Sequence, residues 1–386
     1  MKPLTHSPVP LAIVGGGAAG LFAASVAANR DLGCLVLERK ARPGAKILMT
    51  ANGRCNFTKD VPAEEMLADI GDPVASFVRP ALTACPPSRI ASGFRACGVK
   101  TKRMPDGRLF PASGQAATIV HAFGDLLRDK GVPLATNCPV TGLQPMKRGF
   151  IVATRHFTLW AENVLLATGG ISVPKTGSVG DGQKFARDLG HRVTPLCAGL
   201  TGFETRDPRV RTRAGLRFED GSARVLDPTG RTLFSYRGEV DCEQWGVSGA
   251  AVYNCQRWTV RHPGPFTLEV AFDGERLILE TPAARPVKEA IVTIGGVSTD
   301  DVDPATMESR KVPGLFFAGE VLDIDGPTGG YNLSLAFATA HLAVSTVVRR
   351  NHGVSTITFP PAPGKPSIPA PETPPSPAGM KMLADS

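Results

Sequence analysis

The sequence predicts an α/β chain: a doubly wound parallel sheet with flanking helices, interrupted late by a smaller β-rich unit. Three observations predict it. Leu11-Ala-Ile-Val14 is a short, wholly apolar run suited to a strand buried on both faces. It leads through Gly15-Gly-Gly-Ala-Ala-Gly20 into the Ala-rich stretch Leu21 to Asn29, then a second apolar run, Cys34 to Leu37, ending on Glu38. Between about Pro195 and Thr281 the pattern changes to short β-type runs separated by Gly, Asp and Pro turns.

Taken in order, the first strand, Gly-rich turn, helix, second strand and terminal acid make a βαβ unit of Rossmann type. A Gly-rich loop follows from Gly44 to Thr58, then helices from Ala63 to about Cys97 and a turn at Pro105-Asp-Gly107. Gln115 to Lys130 reads as a helix ended by Gly131, and Asn163 to Thr168 as an apolar strand ending in Gly169-Gly170. Within the β-rich stretch, Thr232 to Tyr236 and Phe266 to Phe272 are strand-like. Gly314-Leu-Phe-Phe-Ala318 returns to buried-strand composition, and Tyr331 to Arg350 reads as a helix ended by Gly353. From Phe359 onward the chain is Pro-rich and suits an extended appendage.

Composition bounds the class. Of 386 residues 42% are hydrophobic and 20% charged, as in an ordinary globular protein. There are 42 glycines, about 11% against a usual 7%, and Gly serves where backbone turns with positive φ or closes on a ligand. The 8 cysteines have no CxxC or CxH spacing, which argues against zinc and for a reducing compartment. The first apolar stretch is broken by glycines, so neither a signal peptide nor a spanning helix is expected. The expected location is the cytoplasm, with no membrane contact.

The glycine spacing names a ligand class. Gly15 permits the tight turn, Gly17 lets backbone approach a pyrophosphate, and Gly20 lets the helix pack against the strand. The helix N-terminus attracts phosphate charge, and Glu38 suits the two hydroxyls of an adenosine ribose. Leu315 to Glu320, followed by Gly329-Gly-Tyr-Asn332 and a helix, supplies what a flavin needs. The acid suits a ribitol, and a helix N-terminus stabilises the negative charge that a reduced flavin develops on its pyrimidine edge. FAD is therefore favoured over NAD.

Gly53-Arg-Cys-Asn56 after Gly44, Gly107-Arg-Leu-Phe-Pro111, Ala167-Thr-Gly-Gly170 with Pro174, and Gly177-Ser-Val-Gly-Asp-Gly182 form a characteristic series. Thr293-Ile-Gly-Gly-Val297, Thr306-Met-Glu-Ser309 and Gly319-Glu-Val-Leu-Asp323, running into Thr328-Gly-Gly-Tyr-Asn332, complete it. Over residues 10 to 350 the chain resembles the bacterial BaiN/RdsA-like (YhiN-type, "aminoacetone oxidase") family of FAD-dependent oxidoreductases. The resemblance implies a Rossmann-type, glutathione-reductase-like FAD domain interrupted by a smaller β-barrel-like domain. It also implies hydride transfer at flavin N5, members being linked to reduction of activated C=C bonds in steroid-type or uracil-type rings and others to amine oxidation. The expected division is an extension over 1–9, an FAD domain over 10–194 plus 286–353, an insert over 195–285 and a tail over 354–386. Two departures stand out. Gln244 takes the place of a His usual in the family, and only about 40 residues separate Gly249 from Glu289, where the family carries a longer stretch with a small helical insert.

The expected cofactor contacts are Gly15, Gly17, Ala18, Ala19, Gly20, Glu38, Arg39, Lys46, Arg54, Cys55, Asn56, Thr168, Gly169, Gly319, Glu320, Gly329, Gly330, Tyr331, Asn332 and Leu333. No metal site is expected. Candidates for chemistry are Tyr331, Cys55 and Arg54. The Tyr331 phenol suits a proton donor opposite the hydride, or packing with its hydroxyl on backbone. Cys55 has no neighbouring cysteine for a redox disulfide; its thiol serves as a proton donor or adduct-former, or packs the loop. Arg54 holds an anionic flavin or substrate oxygen, or fixes the loop by a salt bridge.

The net charge of +8 resides in two segments. Residues 95–108 hold Arg95, Lys100, Lys102, Arg103 and Arg108 against Asp106, and residues 206–237 hold eight Arg against Asp207, Glu219, Asp220 and Asp227. Arg209, Arg211 and Arg213 alternate, so on a strand they share one face, either solvated or a track for RNA phosphates. The expected activity is reduction of an activated C=C bond in a small-molecule substrate, with NADH or NADPH as a transient electron donor. The alternatives are an oxygen-using amine oxidase or monooxygenase, and an RNA-binding flavoprotein that reduces a pyrimidine in RNA.

Overall fold

The computed structural model describes residues 8–280 and 282–351. Gly353 and the Pro-rich stretch lie outside the described residues. The main sheet runs Leu134–Ala135, Cys34–Leu37, Val9–Val14, Thr158–Leu166, Phe150–Thr154, Val140–Pro145, and Leu315–Phe317 also pairs with Thr158–Leu166. The pairings of Val9–Val14 with Cys34–Leu37 and with Thr158–Leu166 are parallel, and Val140 to Leu166 forms an antiparallel meander. Burial explains the composition: Leu11, Ala12, Ile13 and Val14 are all buried, because helices cover the sheet.

The helix Ala18–Ala28 packs on the last helix, Tyr331–Asn351, through buried alanines that let the two axes approach closely. The last helix is long and apolar enough to cross a membrane, but 89% of its apolar window is buried among its neighbours, where it forms the spine of the core. Three shorter helices, Ala63–Ile70, Val74–Ala84 and Pro87–Ala96, fill the stretch read as helical up to Cys97.

The chain leaves this body through Cys197–Gly199 and returns through Val292–Ile294, two strands that pair with each other. Between them lies a six-stranded antiparallel sheet, ordered Phe203–Glu204, Gly246–Ser248, Thr232–Glu243, Arg217–Leu226, Thr267–Phe272, Glu275–Glu280. The helix Ala250–Arg261 packs on its two central strands, and the buried apolar side chains form a cluster separate from that of the main sheet.

Arg209, Arg211 and Arg213 do not share a strand face. Pro208–Arg211 is a short helix whose N-cap, Asp207, accepts from the Arg209 backbone N–H. Arg209 lies 2.8 Å from Asp207, and Arg213 lies 3.2 Å from Glu275. Local capping and carboxylates from a later hairpin decide this segment.

One buried titratable group makes stability depend on pH. His341, on the last helix, is 7% exposed, with the Arg30 guanidinium 3.3 Å from its ring. Burial, reinforced by the charges of Arg30, Arg89 and Arg349, lowers its pKa to about 4. The unfolded chain takes up this proton near pH 6.5, so the contribution is present above 6.5 and is lost as pH falls toward 4. The loss is on the order of 3 kcal/mol. His341→Gln should flatten the fall in urea midpoint between pH 6.5 and 4; an unchanged slope would assign acid sensitivity elsewhere.

Candidate functional site

The first strand ends at Val14, and Gly15, with φ +107, turns the chain so that a Cβ there would stand 2.6 Å from the Ala167 carbonyl oxygen. The helix that follows has Gly17 as its N-cap, no capping side chain and no acid in its first turn. Its first N–H groups and the positive end of its dipole therefore face open space. That space belongs to a cavity that opens to solvent and is lined from Val14 to Ala336 by segments distant in sequence. One end of the lining carries Glu38, Arg39, Arg42 and Asp181, the middle Gly15 to Ala19 with Thr168 and Gly169, and the other end Lys46, Thr50, Ile291, Glu320, Asn332 and Leu333.

Glu38 is 8% exposed and accepts from the backbone N–H of Gly16 at 2.7 Å and of Lys40 at 2.6 Å. Burial raises its carboxyl pKa against the pull of these donors. Arg39 pairs with Asp181 at 2.7 Å. At the far end Lys46 donates to Glu320 at 2.7 Å and to Ser172 at 2.6 Å, while Glu320 also accepts from the Thr293 backbone at 2.8 Å. The Gly-rich loop, the segment after Gly170, the strand returning from the insert and the turn after Phe317 thus meet on one carboxylate.

Most residues read from the sequence come together here: Gly15, Gly17, Ala18, Ala19, Glu38, Arg39, Lys46, Thr168, Gly169, Gly319, Glu320, Asn332 and Leu333 all line the cavity. The others stand outside it. Gly20 is a packing residue between helix and strand, as its spacing implied. Arg54 is exposed, donates to the Ala51 carbonyl, stacks 5.5 Å over Phe110 and makes no salt bridge among the described residues. Cys55 is fully buried outside the cavity lining, and burial pushes its thiol up to about 11, which keeps it protonated and disfavours a thiolate adduct. Asn56 is buried beside Gly330, and Gly329 and Gly330 form the turn ahead of the last helix.

Tyr331 also stands outside the cavity lining. Its hydroxyl donates to Asp69 and accepts from Lys59 at 2.9 Å, and burial with the Asp69 hydrogen bond raises its pKa, so the phenol is committed elsewhere. Gln244 is exposed at a two-residue turn between strands. Sequence reasoning missed Thr50, Ser178, Asp181, Ile291 and Val292 as lining residues. The Gly177–Gly182 motif contained a signal for two of them; the return strand after the insert gave none.

The donor set fits an extended FAD. Gly17 leaves room for a phosphate at a helix N-terminus that has no capping side chain, and Glu38 and Glu320 supply acceptors for ribose and ribitol hydroxyls. Such a fold and site define a FAD-dependent oxidoreductase on a Rossmann-type domain. The chain belongs to the HI0933-like family, whose description, HI0933-like protein Rossmann domain, matches residues 9–346.

It is 28% identical to a 3-dehydro-bile acid delta(4,6)-reductase of Clostridium scindens, over 88% of this chain and 99% of that one. It is 27% identical to a ribosomal RNA dihydrouridine synthase of Escherichia coli, over 85% and 95%. Among solved structures, a 3-ketosteroid-delta4-(5alpha)-dehydrogenase from Rhodococcus jostii shares the fold at 13% identity, TM-score 0.58, over 90% of this chain and 100% of that one. The open conformation of a flavocytochrome c3 fumarate reductase does so at 14% identity, TM-score 0.51, over 91% and 80%.

Proposed function

We propose that this flavoenzyme reduces a C=C bond conjugated to a carbonyl in a ring substrate. The observation that carries the reading is shared chemistry: both curated relatives, matched over nearly their whole lengths, are named for saturating such bonds. In uracil hydride adds to the carbon β to a carbonyl and a proton to the α carbon; in a 3-oxo-Δ4,6 ring system the same step occurs at the β carbon or, through the extended conjugation, at the δ carbon with the proton taken up at the α or γ carbon. Bound FAD supplies the hydride. The chain's own residues hold the nucleotide at Gly15 to Ala19, receive its hydroxyls at Glu38 and Glu320, and wall the flavin end with Ile47 and Ile291.

Beside the polar groups at that end stand three exposed apolar side chains. Ile291 lines the cavity, Leu48 and Met49 follow the lining residue Ile47, and all three are between 38% and 43% exposed. Apolar surface beside a reactive cavity suits a hydrophobic ring. A reductive direction needs two electrons from outside, and NADH or NADPH visiting the flavin transiently is the proposed donor.

A second reading, a pyrimidine in RNA, rests on the segment 95–108. Arg95, Lys100 and Lys102 are exposed and have no ion pair among the described residues, while Arg103 and Arg108 are paired; in the 206–237 segment five arginines have carboxylate partners and Arg206, Arg211 and Arg237 have none among the described residues. The test is anaerobic: FAD-loaded enzyme is reduced with 4-deuterated NADH or NADPH, then mixed with a 3-oxo-Δ4,6 steroid, a simple cyclic enone or a uridine-containing RNA. Reoxidation by the steroid or enone, with deuterium at the β carbon of the enone or the β or δ carbon of the steroid, is expected. Reoxidation by RNA alone would move the assignment to the second reading. Reoxidation by oxygen but by none of these acceptors would overturn both in favour of an oxidase or monooxygenase.

A further inference from the structure

We infer that the inserted domain sets the electrostatics of the flavin end of the cavity through a clamped loop, residues 323–328, and that Asn254, Arg257 and Arg261 are positioning residues for the reaction. The inference rests on FAD lying with its flavin at the Asn332 end of the cavity.

The clamp comes from one face of the helix Ala250–Arg261. Asp325 is 1% exposed, and its carboxylate accepts from Arg257 Nε and, at 2.8 Å, from Arg261 Nε. Arg257 also donates to the Asp325 carbonyl and to the Ile70 carbonyl, each at 3.1 Å, so one guanidinium ties the loop, the insert and the end of the helix Ala63–Ile70 together. Arg261 lies 2.7 Å from Asp323, which also accepts from Thr194 at 2.8 Å. Three residues beyond Asp325, Asn254 and Thr328 exchange two hydrogen bonds at 3.0 Å.

The same loop is held from the other side by the cavity. Gly326, next to Asp325, is bonded at both backbone groups by the Asn332 side-chain amide, each at 3.0 Å. Asn332 lines the cavity and stands on the first turn of the last helix, which has no acidic residue to offset its dipole. A short path therefore runs from insert to cavity: Arg257, Asp325, Gly326, Asn332. A buried carboxylate with guanidinium partners tolerates few geometries, so the insert's placement dictates where that helix end points. A positive helix end near developing negative charge favours the reduced flavin, and its displacement weakens that preference.

The test compares Arg257→Gln, Arg257→Lys and Asn254→Ala with wild type, and with Arg217→Gln, whose partner Asp241 lies within the insert. The readout is the two-electron midpoint potential of bound FAD. Arg257→Gln and Asn254→Ala should lower the preference for reduced flavin about tenfold, a shift of about 30 mV to more negative potential. Arg257→Lys should recover at least half of it, and Arg217→Gln should not move it. In FAD-free protein, Asn254→Ala should speed hydrogen exchange at residues 324–332 while the insert's sheet stays protected.

Potentials equal to wild type in folded, FAD-loaded variants would overturn the inference and leave the clamp a stabilising contact only. Unchanged exchange at 324–332 in FAD-free Asn254→Ala would overturn it without reference to the cofactor. Absence of flavin binding in wild type would instead sink the placement of FAD.

Discussion

Gly17→Asp is expected to abolish FAD binding at micromolar concentrations while leaving the FAD-free protein as stable as wild type or slightly more so. A Cβ at Gly17 meets nothing within 4 Å, so a side chain has room there, and the room is the cavity. Gly17 is the N-cap of the helix Ala18–Ala28. An aspartate there would accept from a first-turn N–H and face the positive helix end, worth about 0.3–1 kcal/mol to the empty protein. It would also set a carboxylate where a pyrophosphate docks. Like charges about 4 Å apart at an effective dielectric near 20 cost about 4 kcal/mol, so a loss of at least about 100-fold in affinity is a conservative expectation.

Gly20→Ala should fail differently. Its Cβ would stand 1.8 Å from the Gly15 carbonyl oxygen, so helix and turn must separate, at about 3 kcal/mol or more. Thermal melts and FAD fluorescence titrations distinguish the two: the first variant loses binding alone, the second loses stability and binding together. If Gly17→Asp bound FAD within tenfold of wild type, the pyrophosphate would not rest on this helix.

That contrast shows why the nucleotide half of the site was legible in the sequence. The demands on Gly15, Gly17 and Gly20 are backbone demands made within one turn, so spacing alone records them. The place of Tyr331 was not legible because the relevant geometry is not local. Successive residues on a helix point about 100° apart, so with Asn332 and Leu333 facing the cavity its neighbour need not, and Asp69 and Lys59 hold the phenol away. The flavin end draws on Lys46, Ser172, Thr293 and Glu320, segments whose convergence no window of sequence reveals. Arg209 to Arg213 did carry a local signal: Asp207-Pro208 is an N-cap followed by a first-turn proline, and alternation of charge concealed a helix start. The Cys55 reading turned on burial, which a Gly-rich loop does not announce.

Phe337→Ala should be the most damaging core substitution in the FAD domain, because that ring joins helices distant in sequence. Phe337 is fully buried, stacks on Phe22 at 4.8 Å and meets Phe94 at 5.6 Å and Phe123 at 6.3 Å. It therefore ties the last helix to Ala18–Ala28, Pro87–Ala96 and Ala117–Asp129. Removing a buried phenyl ring costs about 3–5 kcal/mol, and with unfolding entropy near 2.1 cal/mol/K per residue the melting temperature should fall by roughly 5 °C. Phe337→Leu, which keeps most of the volume, should lose less than half of that. FAD at 100 times its Kd adds about 2.7 kcal/mol to either protein, provided the binding surface is intact. Phe337 lies five residues along the helix from Asn332, about 7.5 Å of rise, and does not line the cavity. The gap between FAD-loaded and FAD-free melting temperatures should accordingly survive the substitution. A gap that collapses in Phe337→Ala but not in Phe337→Leu would mean that the aromatic cluster also holds the cavity wall formed by Leu335 and Ala336 in place.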